Sequence, residues 1–248
     1  SYDLLSENEK IISSTFDAAI NAFKNYKLKK INVISSSMVF ENTTTFPTSE
    51  GEQLICAPPS STYGFQKLST EYFAKGALEQ YGLPYTIIRP FNCIGIGEKK
   101  ALSDKEIRSG NIKLAMSHVI PDLIQKILKN QFPLRILGDG SQIRHYTYGG
   151  DLAYGIRLCI ENDKSLNEDF NLSTNKSTSV IELAQLIWKK IKPEKEFKYI
   201  SENSYKYDVH KRIPNVNKAK KILGFQAKTT LSKALDEIIP WIEEQIII

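Results

Sequence analysis

Hydrophobic positions along the chain recur at two spacings, one typical of helices and one typical of buried strands. Apolar residues between about 6 and 25 repeat every three to four positions, which predicts an amphipathic helix. The runs INVIS (31–35) and YTIIR (85–89) are short, apolar and rich in β-branched residues, as buried parallel strands are. Between them, the segment that begins near Tyr63 has helical spacing and reaches Gly82, a residue type that commonly ends helices.

The second half of the chain continues to alternate strands with helices. Further strands are predicted at LRIL (134–137), RHYTY (144–148), FNLS (170–173) and FKYI (197–200), with a turn at GDGS (138–141). Further helices are predicted near 118–130, over 151–162, from a cap at Thr178 or Ser179 to about Ile191, and in two segments at the C-terminal end, where Pro240 should kink the last. This alternation favours a parallel α/β sheet with extra elements appended late in the chain.

Composition and charge are those of an ordinary globular protein. Of the 248 residues, 41% are apolar and 25% are charged, and the net charge is only +5. The basic clusters KLKK (27–30) and NKAKK (217–221) are interpreted as solvated helix ends, so we do not expect a nucleic-acid partner. No apolar run approaches membrane-spanning length, and we expect no membrane partner.

The cysteines bear on the cellular compartment. Cys56, Cys93 and Cys159 are odd in number, far apart and in no CxxC spacing. This pattern argues against a disulfide framework and against a zinc site, so we expect no bound metal. It favours a reducing compartment, and we expect a cytoplasmic protein.

A tyrosine and a lysine stand at the head of the second predicted helix. Tyr63 and Lys67 are four residues apart, which places both side chains on one face of a helix. A lysine ammonium beside a phenol favours the phenolate, and such a tyrosine can take a proton from a hydroxyl that is being oxidised. Alone, the spacing also fits a surface pair without function.

Polar residues follow the two predicted strands on either side of this helix. Ser35, Ser36 and Ser37 end the first strand, at the edge where open α/β sheets bind their ligands. A serine hydroxyl at that edge could contact the same reacting oxygen as the tyrosine. The second strand runs into RPFNCIGIG (89–97).

The motifs SSSMVF, TYGFQK and IIRPFNCIGIG, in this order, resemble the extended short-chain dehydrogenase/reductase family, specifically its NAD-dependent nucleotide-sugar epimerases and dehydratases. The resemblance continues through GDGSQIRHYTYGGDL, DFNLSTNKSTSVIELAQLI and KRIPNVNKAKKILGF, and so covers nearly the whole chain. It implies a Rossmann-like doubly wound parallel sheet with a smaller α/β substrate domain. Residues 1–92, with about 150–178, would form the remainder of the dinucleotide-binding domain, and 93–149 with 179–248 the substrate domain.

The same resemblance implies roles for particular residues. The catalytic residues would be Tyr63, Lys67 and Ser36. The contacts to NAD would come from Tyr63, Lys67, Pro90 and Phe91. The contacts to a nucleotide-diphosphate sugar would come from Ser37, Asn92, His118, Arg144 and Arg212. The two arginines would clamp the diphosphate, because planar guanidinium groups suit phosphate oxygens.

The sequence departs from the family pattern most clearly in what it lacks. The Gly-rich turn that holds the NAD pyrophosphate at a helix N-terminus does not occur, and GIGEKK (95–100) lies too late in the motif order to replace it. We therefore expect the chain to be a piece of a longer protein, lacking roughly 90 residues, or about three strand–helix units. Such a piece would expose one edge of its sheet.

Smaller departures narrow the chemistry. Ser37 and Met38 stand where the 4,6-dehydratases have the Asp-Glu pair that eliminates water, so dehydration is disfavoured. Leu137 stands where many enzymes for UDP-sugars stack an aromatic ring on uracil, which puts uridine in doubt. His118 occupies a position where an asparagine often touches the substrate.

Two classes of function stay open. The first is an NAD-dependent epimerase that inverts C4 of a nucleotide-diphosphate sugar through a transient 4-keto intermediate, with decarboxylation, 2- or 3,5-epimerisation and dehydration as related chemistries. The second is a catalytically silent module that binds a sugar nucleotide or RNA. In either case the resemblance implies a homodimer that pairs through the helices near 6–25 and 63–81.

Overall fold

Helices and strands alternate through most of the computed structural model, which describes residues 2–97, 108–109, 112–113, 118–203 and 209–246. The helices are α1 (Tyr2–Asn25), α2 (Thr62–Tyr81), α3 (Val119–Leu128), α4 (Gly149–Glu161), α5 (Val180–Ile191), α6 (Asn217–Leu223) and α7 (Leu231–Ile246). The strands are β1 (Ile31–Ile34), β2 (Tyr85–Pro90), β3 (Cys93–Ile94), β4 (Arg108–Ser109), β5 (Ile112–Lys113), β6 (Leu134–Leu137), β7 (Ile143–Arg144), β8 (Thr147–Tyr148), β9 (Glu168–Leu172), β10 (Thr178–Ser179) and β11 (Tyr199–Glu202).

These elements belong to two units. The first unit comprises Ser1–Asn92, Gly150–Asn175 and Ile213–Ala227. The second unit comprises Cys93–Gly149, Lys176–Arg212 and Lys228–Ile248.

The first unit is built on a parallel sheet in the order β1-β2-β9. Ile31 is in register with Tyr85 across β1 and β2, and Ile88 with Phe170 across β2 and β9. Because the three strands run in the same direction, their carboxyl ends meet at one edge of the sheet, where ligands of such sheets bind.

Helices cover both faces of this sheet. Neighbouring residues of a strand point to opposite faces. Accordingly, Ile87 packs with Phe16 of α1 and Ala74 of α2, whereas Ile88 packs with Leu152 of α4 and Phe225. The uninterrupted apolar character of β2 is thus explained by burial on both sides.

The segment 213–227 corrects the predicted domain division. Sequence analysis assigned it to the substrate domain, but it belongs to the first unit. Leu223 and Phe225 pack on Leu172 of β9, and Lys218 forms an ion pair with Asp169 at 2.6 Å. These long-range contacts are not visible in the local sequence pattern.

The second unit has short paired strands beside a helical core. β6 pairs with β11 in parallel, β3 pairs with β8 in parallel, and β7 pairs with β10 in the antiparallel sense. Ile124 of α3, Ile187 of α5 and Ile238 of α7 are buried together in its core.

Two predicted strands differ from the observed ones. RHYTY is not one alternating strand, because β7 ends at Arg144 and β8 begins at Thr147, with buried His145 and Tyr146 between them. The strand predicted at FKYI begins two residues later, at Tyr199. Helix α7 continues through Pro240.

Over the described ranges, no helix combines the length and the apolar character needed to cross a lipid bilayer.

Candidate active site

The first turn of α2 carries the predicted tyrosine. Ser61 caps the helix, with its hydroxyl accepting a hydrogen bond from the amide of Gly64 at 3.0 Å, and Gly82 ends it in the left-handed conformation. This cap satisfies a backbone N–H that the helix itself leaves unpaired. Tyr63 lies in this capped turn and is about half exposed, so its phenol can meet a ligand.

Tyr63 and Lys67 line the same groove, of about 390 Å³. Its walls are α1, the edge of β1 and this side of α2. The Lys67 Nζ lies 5.9 Å from the centre of the Tyr63 ring and donates a hydrogen bond to the carbonyl oxygen of Ile34 at 2.9 Å. The pair is therefore on one face of α2, as its spacing predicts, and Lys67 is anchored to the carboxyl end of β1.

Ser36 is the second residue after β1 and caps a 3-10 turn over Ser37–Phe40. Its Oγ accepts a hydrogen bond from the amide of Met38 at 3.2 Å. Both Ser36 and Ser37 are largely buried within the first unit.

Gly64 brings this turn close to the start of α2. A Cβ atom at Gly64 would lie 2.8 Å from the carbonyl oxygen of Met38 and 2.7 Å from the Cβ of Pro59. Real carbon contacts are nearer 3.5–4.0 Å, so only glycine permits this approach. The turn that carries Ser36 is thus packed directly against the helical turn that carries Tyr63.

β2 ends at Pro90, and Phe91 directly follows it with a side chain that has a packing role. It is buried in a cluster with Val39, Phe40 and Leu68, and its ring is stacked on Phe40 at 6.3 Å between centroids. Its contact with NAD stays a prediction and would have to involve the backbone.

Asn92 has two features expected of a ligand-binding residue. Its φ of 37° lies in the left-handed region, which asparagine adopts more readily than most residues. Its side-chain Nδ2 is buried and finds no hydrogen-bond partner among the described residues. Buried donors are nearly always paired, so a bound substrate group is a reasonable acceptor for this one.

A buried charge network under this edge of the sheet was missed by the sequence reasoning. Glu71 accepts two hydrogen bonds from Arg89, at 2.7 Å each, and both side chains are fully buried. Burial alone would lower the pKa of Arg89, but the charges of Glu71 and Asp169 outweigh it and raise that pKa above its ordinary value. The signals in the sequence were an arginine inside an apolar strand and a glutamate one turn after Lys67.

The second unit contains the two predicted diphosphate ligands. The amide of Arg212 donates to the carbonyl oxygen of Ile143 at 3.1 Å, and the amide of Ile143 donates to the carbonyl oxygen of His210 at 2.9 Å. These bonds place the segment of Arg212 beside β7, which ends at Arg144. The two arginines therefore lie on adjacent backbone segments.

Tyr146 is a candidate that the sequence analysis did not single out. Burial raises its pKa to about 12, although the positive charges of Arg144 and Arg212 act in the opposite direction. Its hydroxyl is buried and has no hydrogen-bond partner within the described part of the chain. A neutral hydroxyl near two guanidinium groups is a suitable additional donor for an anion.

The histidines have different environments. His145 is buried, and its Nε2 lies 2.8 Å from the hydroxyl of Ser177. His118 is exposed directly before α3. Its role as a substrate ligand stays a prediction.

A parallel sheet with helices on both faces, and a helix-borne Tyr–Lys pair at the carboxyl end of a strand, define a Rossmann-like α/β protein. The fold class predicted from the sequence is confirmed. A family model described as the NAD dependent epimerase/dehydratase family matches residues 14–173, and the chain belongs to this family.

Relatives and solved structures agree with this membership. The chain is 28% identical to UDP-glucuronate 4-epimerase of Thermodesulfobacterium geofontis, over 92% of this chain and 63% of that protein. It resembles the crystal structure of UDP-glucose 4-epimerase from Thermotoga maritima with UDP-glucose, with a TM-score of 0.72 and 28% identity over 93% of this chain and 67% of that one. It resembles UDP-N-acetylglucosamine 4-epimerase from Methanobrevibacter ruminantium, in complex with UDP-N-acetylmuramic acid, with a TM-score of 0.72 and 28% identity over 92% and 68% of the two chains.

The chain spans 66% and 63% of the lengths of two curated relatives, which is less than two thirds.

Proposed function

We propose that this chain carries the proton-transfer and substrate-binding residues of an NAD-dependent nucleotide-sugar 4-epimerase. The observation that carries the proposal is the shared groove of Tyr63 and Lys67, with the lysine bonded to the carboxyl end of β1. Family membership supports it, as do relatives named as 4-epimerases of UDP-sugars.

Two residues of the groove, Tyr63 and Lys67, fit the ribose at the nicotinamide end of NAD. The phenol of Tyr63 and the ammonium of Lys67 are donors that suit ribose hydroxyl groups. The chemistry that NAD supplies when bound is reversible hydride transfer at a sugar carbon. A Gly-rich turn for its pyrophosphate does not occur in these 248 residues.

The side chains of the first unit would move the proton. Tyr63 would accept the proton of the sugar 4-hydroxyl as the carbon is oxidised, and would return it when the resulting 4-keto sugar is reduced. Ser36 would donate a hydrogen bond to the same oxygen. The Nδ2 of Asn92, which is buried without a protein partner among the described residues, would donate to the substrate.

The arginines of the second unit would hold the diphosphate. Arg144 and Arg212 provide planar donors that match phosphate oxygens, and Tyr146 would add a hydroxyl. With the diphosphate held, the sugar alone would turn to present its opposite face. Positioning of this kind can account for much of a catalytic rate.

The test uses the full-length protein and a panel of nucleotide-sugars with different bases, with products identified by NMR. Replacement of Tyr63 by Phe should lower kcat by about 10²- to 10⁴-fold, because the proton acceptor is lost. The matched control is Tyr81→Phe, at the far end of the same helix, where Lys24 Nζ lies 4.3 Å from the tyrosine ring. Tyr81→Phe should retain the activity of the unmodified protein.

Full epimerisation by Tyr63→Phe would overturn the mechanism. A full-length protein that accepts no nucleotide-sugar would overturn the activity and favour the silent binding module. Release of carbon dioxide from a uronic-acid substrate would instead identify a decarboxylase.

We also propose a homodimer that forms through α1 and α2. Phe65 and Tyr72 are exposed seven residues apart on α2, which places both on one side of the helix. Exposed apolar side chains grouped in this way are typical of protein interfaces. Light scattering on the full-length protein would measure its mass.

The free thiols of Cys56, Cys93 and Cys159 support a reducing, cytoplasmic location.

A further inference from the structure

Two side chains of helix α2 form hydrogen bonds with consecutive residues at the end of β1. Lys67 donates to the carbonyl oxygen of Ile34 at 2.9 Å, and one helical turn later Glu71 accepts a hydrogen bond from the Ser35 hydroxyl at 2.5 Å. Ser36 is the next residue and caps the following 3-10 turn. The end of β1 is therefore fixed to α2 immediately before the proposed catalytic serine.

Arg89 makes it possible for Glu71 to be charged in the interior. Its Nε and Nη2 bind the two carboxylate oxygens of Glu71 at 2.7 Å each, and its Nη1 binds Asp169 at 2.6 Å. An unpaired carboxylate at a fully buried position would be strongly unfavourable, so Arg89 stabilises the carboxylate that accepts from Ser35.

The same arginine reaches the end of β2. Arg89 directly precedes Pro90, and its guanidinium carbon lies 5.3 Å from the centre of the Phe40 ring. Phe40 in turn stacks on Phe91. One buried ion pair thus contacts α2, the end of β1, the end of β2 and the 3-10 turn, which are the segments that carry the proposed catalytic and nicotinamide-side residues of the first unit.

We propose that Ser35, Glu71 and Arg89 form a positioning device that sets Ser36 relative to Tyr63 and Lys67. The proposal rests on the proposed function for its catalytic consequence, but its structural part is independent of that function. None of the three side chains needs to touch the substrate. Their effect would be exerted through the backbone of the 3-10 turn.

A purely stabilising ion pair would behave differently. Loss of a buried contact that only stabilises the fold would lower the melting temperature and leave the kinetics of the folded molecules unchanged. A positioning device also alters kcat while KM stays constant, since the geometry of the reacting groups changes and the binding of the diphosphate does not.

The test variant is Ser35→Ala in the full-length protein. It removes one hydroxyl and leaves the bidentate Arg89–Glu71 pair in place, so folding should be retained. We expect kcat to fall about tenfold with KM within about twofold. We also expect hydrogen exchange of the Met38 and Val39 amides, which bond to Ser36, to become about tenfold faster.

The matched control is Asp169→Asn. Asp169 lies on β9 and binds the same arginine at 2.6 Å, and its side-chain partners among the described residues are Arg89 and Lys218, neither of which lies on β1 or α2. It should lower the melting temperature, while kcat and the exchange of Met38 stay within about twofold of the unmodified protein.

Unchanged kcat and unchanged amide exchange in Ser35→Ala would overturn the proposal, and so would an equal loss of kcat in Asp169→Asn. Hydrogen exchange is measured without substrate, so it decides the structural part even if the full-length protein proves inactive. Inactivity of the unmodified protein would count against the proposed function alone.

Discussion

The close approach at Gly64 leads to a prediction with a worked magnitude. A methyl group added by Gly64→Ala would lie 2.7 Å from the Cβ of Pro59 and 2.8 Å from the carbonyl oxygen of Met38. To reach ordinary contact of about 3.5 Å with Met38, the start of α2 must move away from the turn by about 0.7 Å. Overpacking of this kind typically costs about 1–3 kcal/mol.

Two effects of opposite sign then combine in the stability of Gly64→Ala. Alanine in place of glycine favours a helix by about 1 kcal/mol, so a net loss of about 0–2 kcal/mol is expected. The displacement also separates Tyr63 from Ser36. A misplacement near 1 Å can cost about 10²-fold in rate, so kcat should fall about 10- to 100-fold.

Gly76→Ala is the matched control. Gly76 lies in the same helix, and a Cβ there would meet no atom within 4 Å. It should raise the free energy of unfolding by about 0.5–1 kcal/mol and leave kcat unchanged. Urea unfolding and steady-state assays of both variants of the full-length protein measure these effects. Equal stability and equal kcat in the two variants would refute the steric reasoning.

Two further predictions concern stability. Burial raises the pKa of Glu50, although the amide of Asn171 donates to its Oε1 at 2.8 Å. The folded state therefore binds the proton more tightly than the unfolded state does. Above the raised pKa, ionised Glu50 destabilises the folded state. Glu50→Gln should raise the urea midpoint at about pH 7 but not at about pH 4, where Glu50 is largely protonated in both the folded and the unfolded state. An equal gain at both pH values would contradict this prediction. Ser179→Ala removes the hydroxyl that accepts from the amide of Glu182 in a capping box, and it should lower the free energy of unfolding by about 1 kcal/mol in thermal or urea unfolding. An unchanged transition would show that this cap contributes little.

Local patterns predicted the elements whose burial has a simple period. Helix α2 was expected from its spacing and from Gly82, and α5 from a cap at Thr178 or Ser179, with Ser179 the cap observed. The strand β2 was expected from a short apolar run. In each case the pattern that predicts the element lies within one short stretch of chain, because the apolar residues that form the pattern are the ones that the element buries.

The prediction failed where burial depends on distant partners. RHYTY alternates like a strand, yet His145 and Tyr146 are both buried and separate β7 from β8. Residues 213–227 contain nothing that indicates which unit they join, since this is decided by contacts with β9.

The candidate site was predicted only in part for the same reason. The spacing of Tyr63 and Lys67 indicated a common face, and the structure places both in one groove. The contact between Glu71 and Arg89 joins residues eighteen positions apart, and no local pattern pairs them. Tyr146 could have been suspected only from its position two residues after Arg144 in the sequence.

The bond between Ser35 and Glu71 has a consequence for protein engineering. A family member that received α2 of this chain, but had no serine and strand arginine matching Ser35 and Arg89, would acquire Glu71 as an unpaired glutamate in an apolar interior. Grafts of this helix should therefore exchange positions 35, 71 and 89 together, although they are far apart in the primary structure.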